Sequence, residues 1–147
     1  MTQSSATRLP EGFIFEAAKP PPDALHFHAP EEGSEGVFCW TGPGAEAVLN
    51  IRIDRRYPLR AWLELADFGD PANRDALSLI VDGDLYPLMR RGPGQNLLAG
   101  PILPREGDEP TQLVIRVPHL HSPPAEGHRA APLRGIAIKR LSLIPPD

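Results

Sequence analysis

The sequence predicts an all-β protein: a two-sheet antiparallel β-sandwich, jelly-roll-like, with about nine strands and little or no helix. Three observations predict it. Apolar residues alternate at period two through residues 37–65, the mark of strands with one buried face. Nineteen prolines and thirteen glycines make up more than a fifth of the chain, a composition that breaks helices and punctuates strands. These Pro/Gly clusters alternate with apolar segments, which distinguishes the chain from a disordered one.

Taken in order, residues 1–11 are polar and read as a flexible N-terminal segment, with residues 12–147 forming a single β-sandwich domain. Gly12–Ala17 is a first edge strand, ended by Pro20-Pro21-Pro22. Leu25-His26-Phe27-His28 alternates briefly and stops at Pro30, and EEGSEG is a loop. In the next strand Val37, Cys39 and Thr41 face one way and Phe38 and Trp40 the other. After TGPG, Ala47, Leu49, Ile51 and Ile53 share a face; after Tyr57-Pro58, so do Leu59, Ala61, Leu63 and Leu65. Three such segments with short turns between them are expected to begin an antiparallel sheet; taken with the rest of the chain, the stretch is expected to supply core strands of both sheets. Residues 67–75 (DFGDPANRD) form a polar loop. Asp82-Gly83 joins the strand 76–81 to Leu85–Met89 as a hairpin, with Pro87 arguing for an edge position. Strands follow at Asn96–Ile102, Thr111–Val117 and Gly135–Ile144, the last with Lys139-Arg140 breaking the phase as a bulge does. The longest loop is 119–132.

A net charge of -4 and a pI near 5.7 give no electrostatic case for a nucleic-acid partner. No run reaches the roughly 18 apolar residues of a membrane span. No apolar signal region opens the sequence, so the chain reads as cytoplasmic. Cys39 is the sole cysteine; it rules out an intrachain disulfide and reads as a core residue.

Several short motifs recur in a telling order. They are Glu35-x4-Trp40, the amphipathic strands Ala47–Ile53 and Leu59–Phe68, and the strand end Val81-Asp82-Gly83. Ser122-Pro123 and the terminal Leu133-Arg134-Gly135-Ile136 complete the series. This order resembles the galactose-binding-like jelly-roll β-sandwich domains, and is similar to accessory domains attached to bacterial glycosyltransferases. The resemblance implies a non-catalytic role in glycan synthesis or processing, with an oligosaccharide or a glycosyltransferase domain as partner and no cofactor.

The candidate ligand-binding residues are Trp62, Asn73, Arg74, His119, His121 and Arg129. Trp62 lies between Arg60 and Glu64 on a partly exposed face, and an indole suits the C–H face of a pyranose. The others lie in the loops 67–75 and 119–132, where His and Arg can donate to hydroxyls or pair with an acidic sugar. Trp40 reads as core. His26-x-His28 followed by Glu32 has the spacing of a first cupin metal motif, without the remainder of that pattern. A metal-dependent enzyme on these three residues is therefore the third reading, behind a sugar-binding domain and a protein–protein interaction module built on the Arg60–Trp62–Glu64 face. Ser122 lacks a Gly-x-Ser-x-Gly setting. Glu31-Glu32 and Asp82/Asp84 lie in turns, and the Gly-Pro turns lack the Lys-Ser/Thr of a phosphate loop. No catalytic residue is assigned.

Overall fold

The computed structural model describes residues 13–19, 24–34, 36–91, 96–107, 109–122 and 133–145. The strands are β1 (Phe13–Glu16), β2 (Glu31–Gly33), β3 (Gly36–Trp40), β4 (Glu46–Ile51), β5 (Leu59–Asp67), β6 (Ser78–Val81), β7 (Asp84–Pro87), β8 (Met89–Arg90), β9 (Leu97–Ile102), β10 (Thr111–Arg116) and β11 (Ala137–Ile144). A 3-10 turn, Pro71–Asp75, stands where a plain loop was expected. Among the described residues there is no α-helix, and no helix long and apolar enough to cross a membrane.

Two antiparallel sheets form the sandwich. The seven-stranded sheet has the order β2-β3-β11-β5-β9-β8, with β1 also on β11; the four-stranded sheet has the order β4-β10-β6-β7. The core lies between them. Leu63, Leu98, Leu141, Leu143 and Cys39 from the larger sheet meet Leu49, Leu79, Leu113 and Ile115 from the smaller. Each such fully buried aliphatic side chain contributes about 1.5–3 kcal/mol.

The eleven strands among the described residues exceed the expected nine or so, because β2 is too short and too polar to show a period and β8 starts within the segment Leu85–Met89 read as one strand. A second difference concerns pairing. β3, β4 and β5 do not lie side by side: β3 and β5 flank β11 in the larger sheet, while β4 pairs with β10 in the smaller. The turns at 41–45 and 52–58 therefore carry the chain across the core instead of closing hairpins. Leu25–His28, the brief alternating piece, stays short of a strand. It makes single bridges, Leu25 to Val48 and Phe27 to Thr41, and His26 between them adopts a positive φ of 67°.

Other local expectations match. β1 is an outer strand on β11, Asp82-Gly83 closes the β6–β7 hairpin, and β7, which carries Pro87, is the edge of its sheet. Immediately after Pro87 the chain changes sheets, since β8 pairs with β9. Gly100 sits at this crossing, where a Cβ would come 2.7 Å from the Pro87 carbonyl oxygen. In β11, Ile138 faces Leu65 and Arg140 faces Glu64, which leaves Lys139 as the extra residue of a bulge.

Candidate functional site

The outer face of the seven-stranded sheet carries the chemistry. On β3, Cys39 points into the core, so Phe38 and Trp40 point outward. Trp40 is nevertheless only 8% exposed. It is buried, but outside the core between the sheets, because two loop residues cover it. The His121 ring lies 5.2 Å from its ring at 68°, and the Arg134 guanidinium carbon 5.3 Å from its centroid. Phe38 meets it edge-on at 6.3 Å and 88°. The covering residues brace each other, since each backbone N–H donates to the other's carbonyl at 2.8 and 2.9 Å. Thr41 staples the same segment: its hydroxyl accepts from Ile136 N–H at 3.1 Å and its carbonyl accepts from Gly135 N–H at 2.8 Å.

Beside Trp40 a cleft of about 200 Å³ opens on this face, walled by Phe38 and Trp40, floored by Ala66 and Ala137, and edged by Asp67 and Lys139. Both strands of its floor are irregular here. The register shifts on each side of Ile138 bring Ala66 of β5 and Lys139 of β11 into the lining. One oxygen of Asp67 accepts the Gly69 N–H at 2.7 Å, which fixes the carboxylate at the cleft edge.

Further along the sheet lies Trp62. The register aligns Ile14, Ser142, Trp62, Ala99 and Met89 in one row across β1, β11, β5, β9 and β8. Trp62 is half-buried, while Ile14 and Met89 at the two ends are 53% and 70% exposed. The guanidinium carbons of Arg60 and Arg91 stand 5.8 and 5.7 Å from the Trp62 centroid, within cation–π range.

The sequence candidates do not form one cluster. Trp62 precedes Phe68 by six residues of mostly extended chain, about 20 Å, so it stands apart from the loop residues. Asn73 is fully buried. Its amide nitrogen donates to the Phe68 and His119 carbonyls at 3.0 and 2.8 Å, and its oxygen accepts the His119 N–H at 3.1 Å. Both amide hydrogens are thereby committed, so Asn73 clamps one loop to the other. Arg74 and the His119 side chain are exposed at this rim. His121 is the loop residue that reaches an aromatic wall, and its buried Nδ1 has no hydrogen-bond partner among the described residues. Arg129 lies outside the described residues.

The His26-x-His28 pair faces backbone. A carbonyl only accepts, so His26 Nδ1–H donates to Glu46 O at 2.7 Å and His28 Nε2–H to Leu133 O at 3.0 Å. Glu32 is exposed on β2, opposite Val37. Among the described residues no group of three or more His, Cys, Asp or Glu is placed to hold a metal ion.

A second polar cluster was not legible in the sequence. Arg55, 4% exposed, donates to Asp82 at 2.9 Å, to the Thr111 hydroxyl at 3.2 Å and to the Leu103 carbonyl at 3.0 Å. Arg105 also pairs with Asp82, whose other oxygen accepts Gln112 N–H at 2.9 Å. The turn acid of the hairpin thus ties four segments together. Arg55 falls between strands, where no periodicity marks a buried position. No protein-family model matches the chain, and no curated protein matches it.

Proposed function

We propose that this is a non-catalytic carbohydrate-binding or accessory domain acting in glycan synthesis or processing, with Trp62 as its platform. The observation that carries the reading is the position of Trp62: half-buried on the outer face of the larger sheet, in a row whose ends are open. An indole in that setting offers an apolar face to a sugar ring. Arg60 and Arg91 beside it can donate to hydroxyls or to a carboxylate. The resemblance to galactose-binding-like accessory domains supports the same reading, and a two-sheet antiparallel sandwich is compatible with it.

A glycan array of neutral and acidic oligosaccharides, followed by NMR titration of the hits, tests it. Binding should shift the Trp62 indole N–H signal, and Trp62→Ala should weaken it by about tenfold or more, equivalent to 1.4 kcal/mol. An array without hits and spectra without shifts would remove the reading.

The exposed Ile14 and Met89 on the same row favour a second reading, a contact face for another protein domain. Pull-downs that return no partner, with a monodisperse monomer in light scattering, would count against it.

A further inference from the structure

We infer that the Trp62 face and the cleft beside Trp40 are two stations of one track, laid along β5, that takes a linear oligosaccharide with its terminal residue in the cleft. The inference rests on the carbohydrate reading of Trp62 and adds the second station and the part of the ligand each station holds.

The stations share a surface. Ala66, on the cleft floor, and Trp62 both belong to β5 and both lie on the side away from the core. Four residues of strand separate them, about 13 Å, a distance that a short oligosaccharide spans and a single sugar does not. The surface between them is polar. The register there runs Glu16, Arg140, Glu64 across β1, β11 and β5, with Arg140 paired to Glu16 at 3.0 Å. Aromatic walls at the two ends with carboxylates and a guanidinium between them match a glycan chain, which offers apolar C–H faces and hydroxyl edges along its length.

The cleft suits the end of that chain. Gly33, Ser34 and Gly36 of the β2–β3 hairpin close it sideways, away from β5, and β5 itself ends at Asp67 on its edge, so the track stops there. Its volume of about 200 Å³ is below the roughly 300–1,000 Å³ typical of drug-sized ligands, a size that suits one ring. Asp67 at its edge is an acceptor already oriented by Gly69 N–H, and it addresses sugar hydroxyls.

The test uses the full chain and calorimetric titration with malto-, cello- and manno-oligosaccharides, each from disaccharide to hexasaccharide. In the series that binds, affinity should rise by about tenfold as the chain grows long enough to reach the cleft, then level off. Ala66→Trp fills the cleft and should return the hexasaccharide to the disaccharide's affinity while leaving the disaccharide unchanged. Asp67→Asn keeps an oxygen for Gly69 N–H and should lower only the longer ligands, which covers the case in which the bulkier variant fails to fold. Affinity independent of length, or a hexasaccharide indifferent to both substitutions, overturns the track and leaves the Trp62 platform standing. No binding by any member overturns the track, and the Trp62 platform falls with it when the array of neutral and acidic oligosaccharides is also without hits.

Discussion

Trp40 and Trp62 project from the same side of the same sheet, yet one is walled in and the other lies open. β3 and β5 both pair with β11, and in each strand the neighbouring residues on the opposite parity enter the core. The difference arises outside the strands. His121 and Arg134, bonded to each other through their backbones, lie over Trp40. Over Trp62 the contacts come from the long side chains of Arg60 and Arg91. Alternation along a strand assigns a face, and the loops decide whether that face is wet. The covered tryptophan is held by the structure and, at 8% exposed, gives only a small part of its ring to the cleft beside it, while the open one keeps more of its ring exposed.

The sharpest way to break this contrast is to truncate the covered ring. Trp40→Ala should cost about 3–5 kcal/mol, the range for removing a buried aromatic, read as a lower midpoint in urea unfolding. A loss below about 1 kcal/mol, the size expected at a surface position, would mean that the His121–Arg134 cover does not shield it.

The residue before Trp40 points the other way, and its pH response should show it. Burial pushes the Cys39 thiol up from 9.0 to about 11. A thiol held neutral by the fold contributes that stability fully below the unfolded value. As the pH rises from 9 towards 11 the unfolded chain ionises first, and the contribution is lost by the folded value. Over this window the wild type should lose about 2–3 kcal/mol relative to Cys39→Ala, whose offset from cavity formation does not vary with pH. Parallel curves for the two proteins would place Cys39 in contact with water and undo the assignment of faces on β3.

The cover itself can be loosened at Gly69. This residue has a φ of +69°, and a Cβ there would meet the Gly135 carbonyl oxygen and come within 3.0 Å of the His121 ring. Gly69→Ala should therefore cost about 1–3 kcal/mol through crowding. In a Trp62→Phe background the emission of Trp40 should also move to longer wavelength as His121 is displaced. An unshifted spectrum would show that the cover does not depend on this contact.

How much of this was legible follows from where each signal lives. Leu59, Ala61, Leu63 and Leu65 are all buried and Arg60, Trp62 and Glu64 all face out, as their alternation states. Period two encodes only the face, so it could not tell how β3, β4 and β5 pair, although the stretch they occupy was expected to supply core strands of both sheets. Pairing is set by partners far along the chain, such as Ile138 opposite Cys39. Turn chemistry was similarly half-informative. Asp82 was visible as a hairpin acid, but its two arginine partners come 27 residues before it and 23 after it. Asn73 looked like an exposed loop amide because loops are polar. Its burial depends on His119, 46 residues away. The cleft beside Trp40 depends on bulges, of which only the one at Lys139 left a trace in the sequence.

The smallest expected effect on stability completes the comparison. Trp62→Ala removes a half-buried ring whose cross-strand neighbours are Ser142 and Ala99, small residues with little surface to lose. Cross-strand pairs of this kind contribute about 0.2–1 kcal/mol, so stability should fall by no more than that, while oligosaccharide binding should weaken by about tenfold or more. The same variant thus separates the two roles that the two indoles divide between them. A loss of several kcal/mol, approaching that at Trp40, would mean that Arg60 and Arg91 bury Trp62 as effectively as the loops bury Trp40. The outer face would then have no open station for a sugar ring.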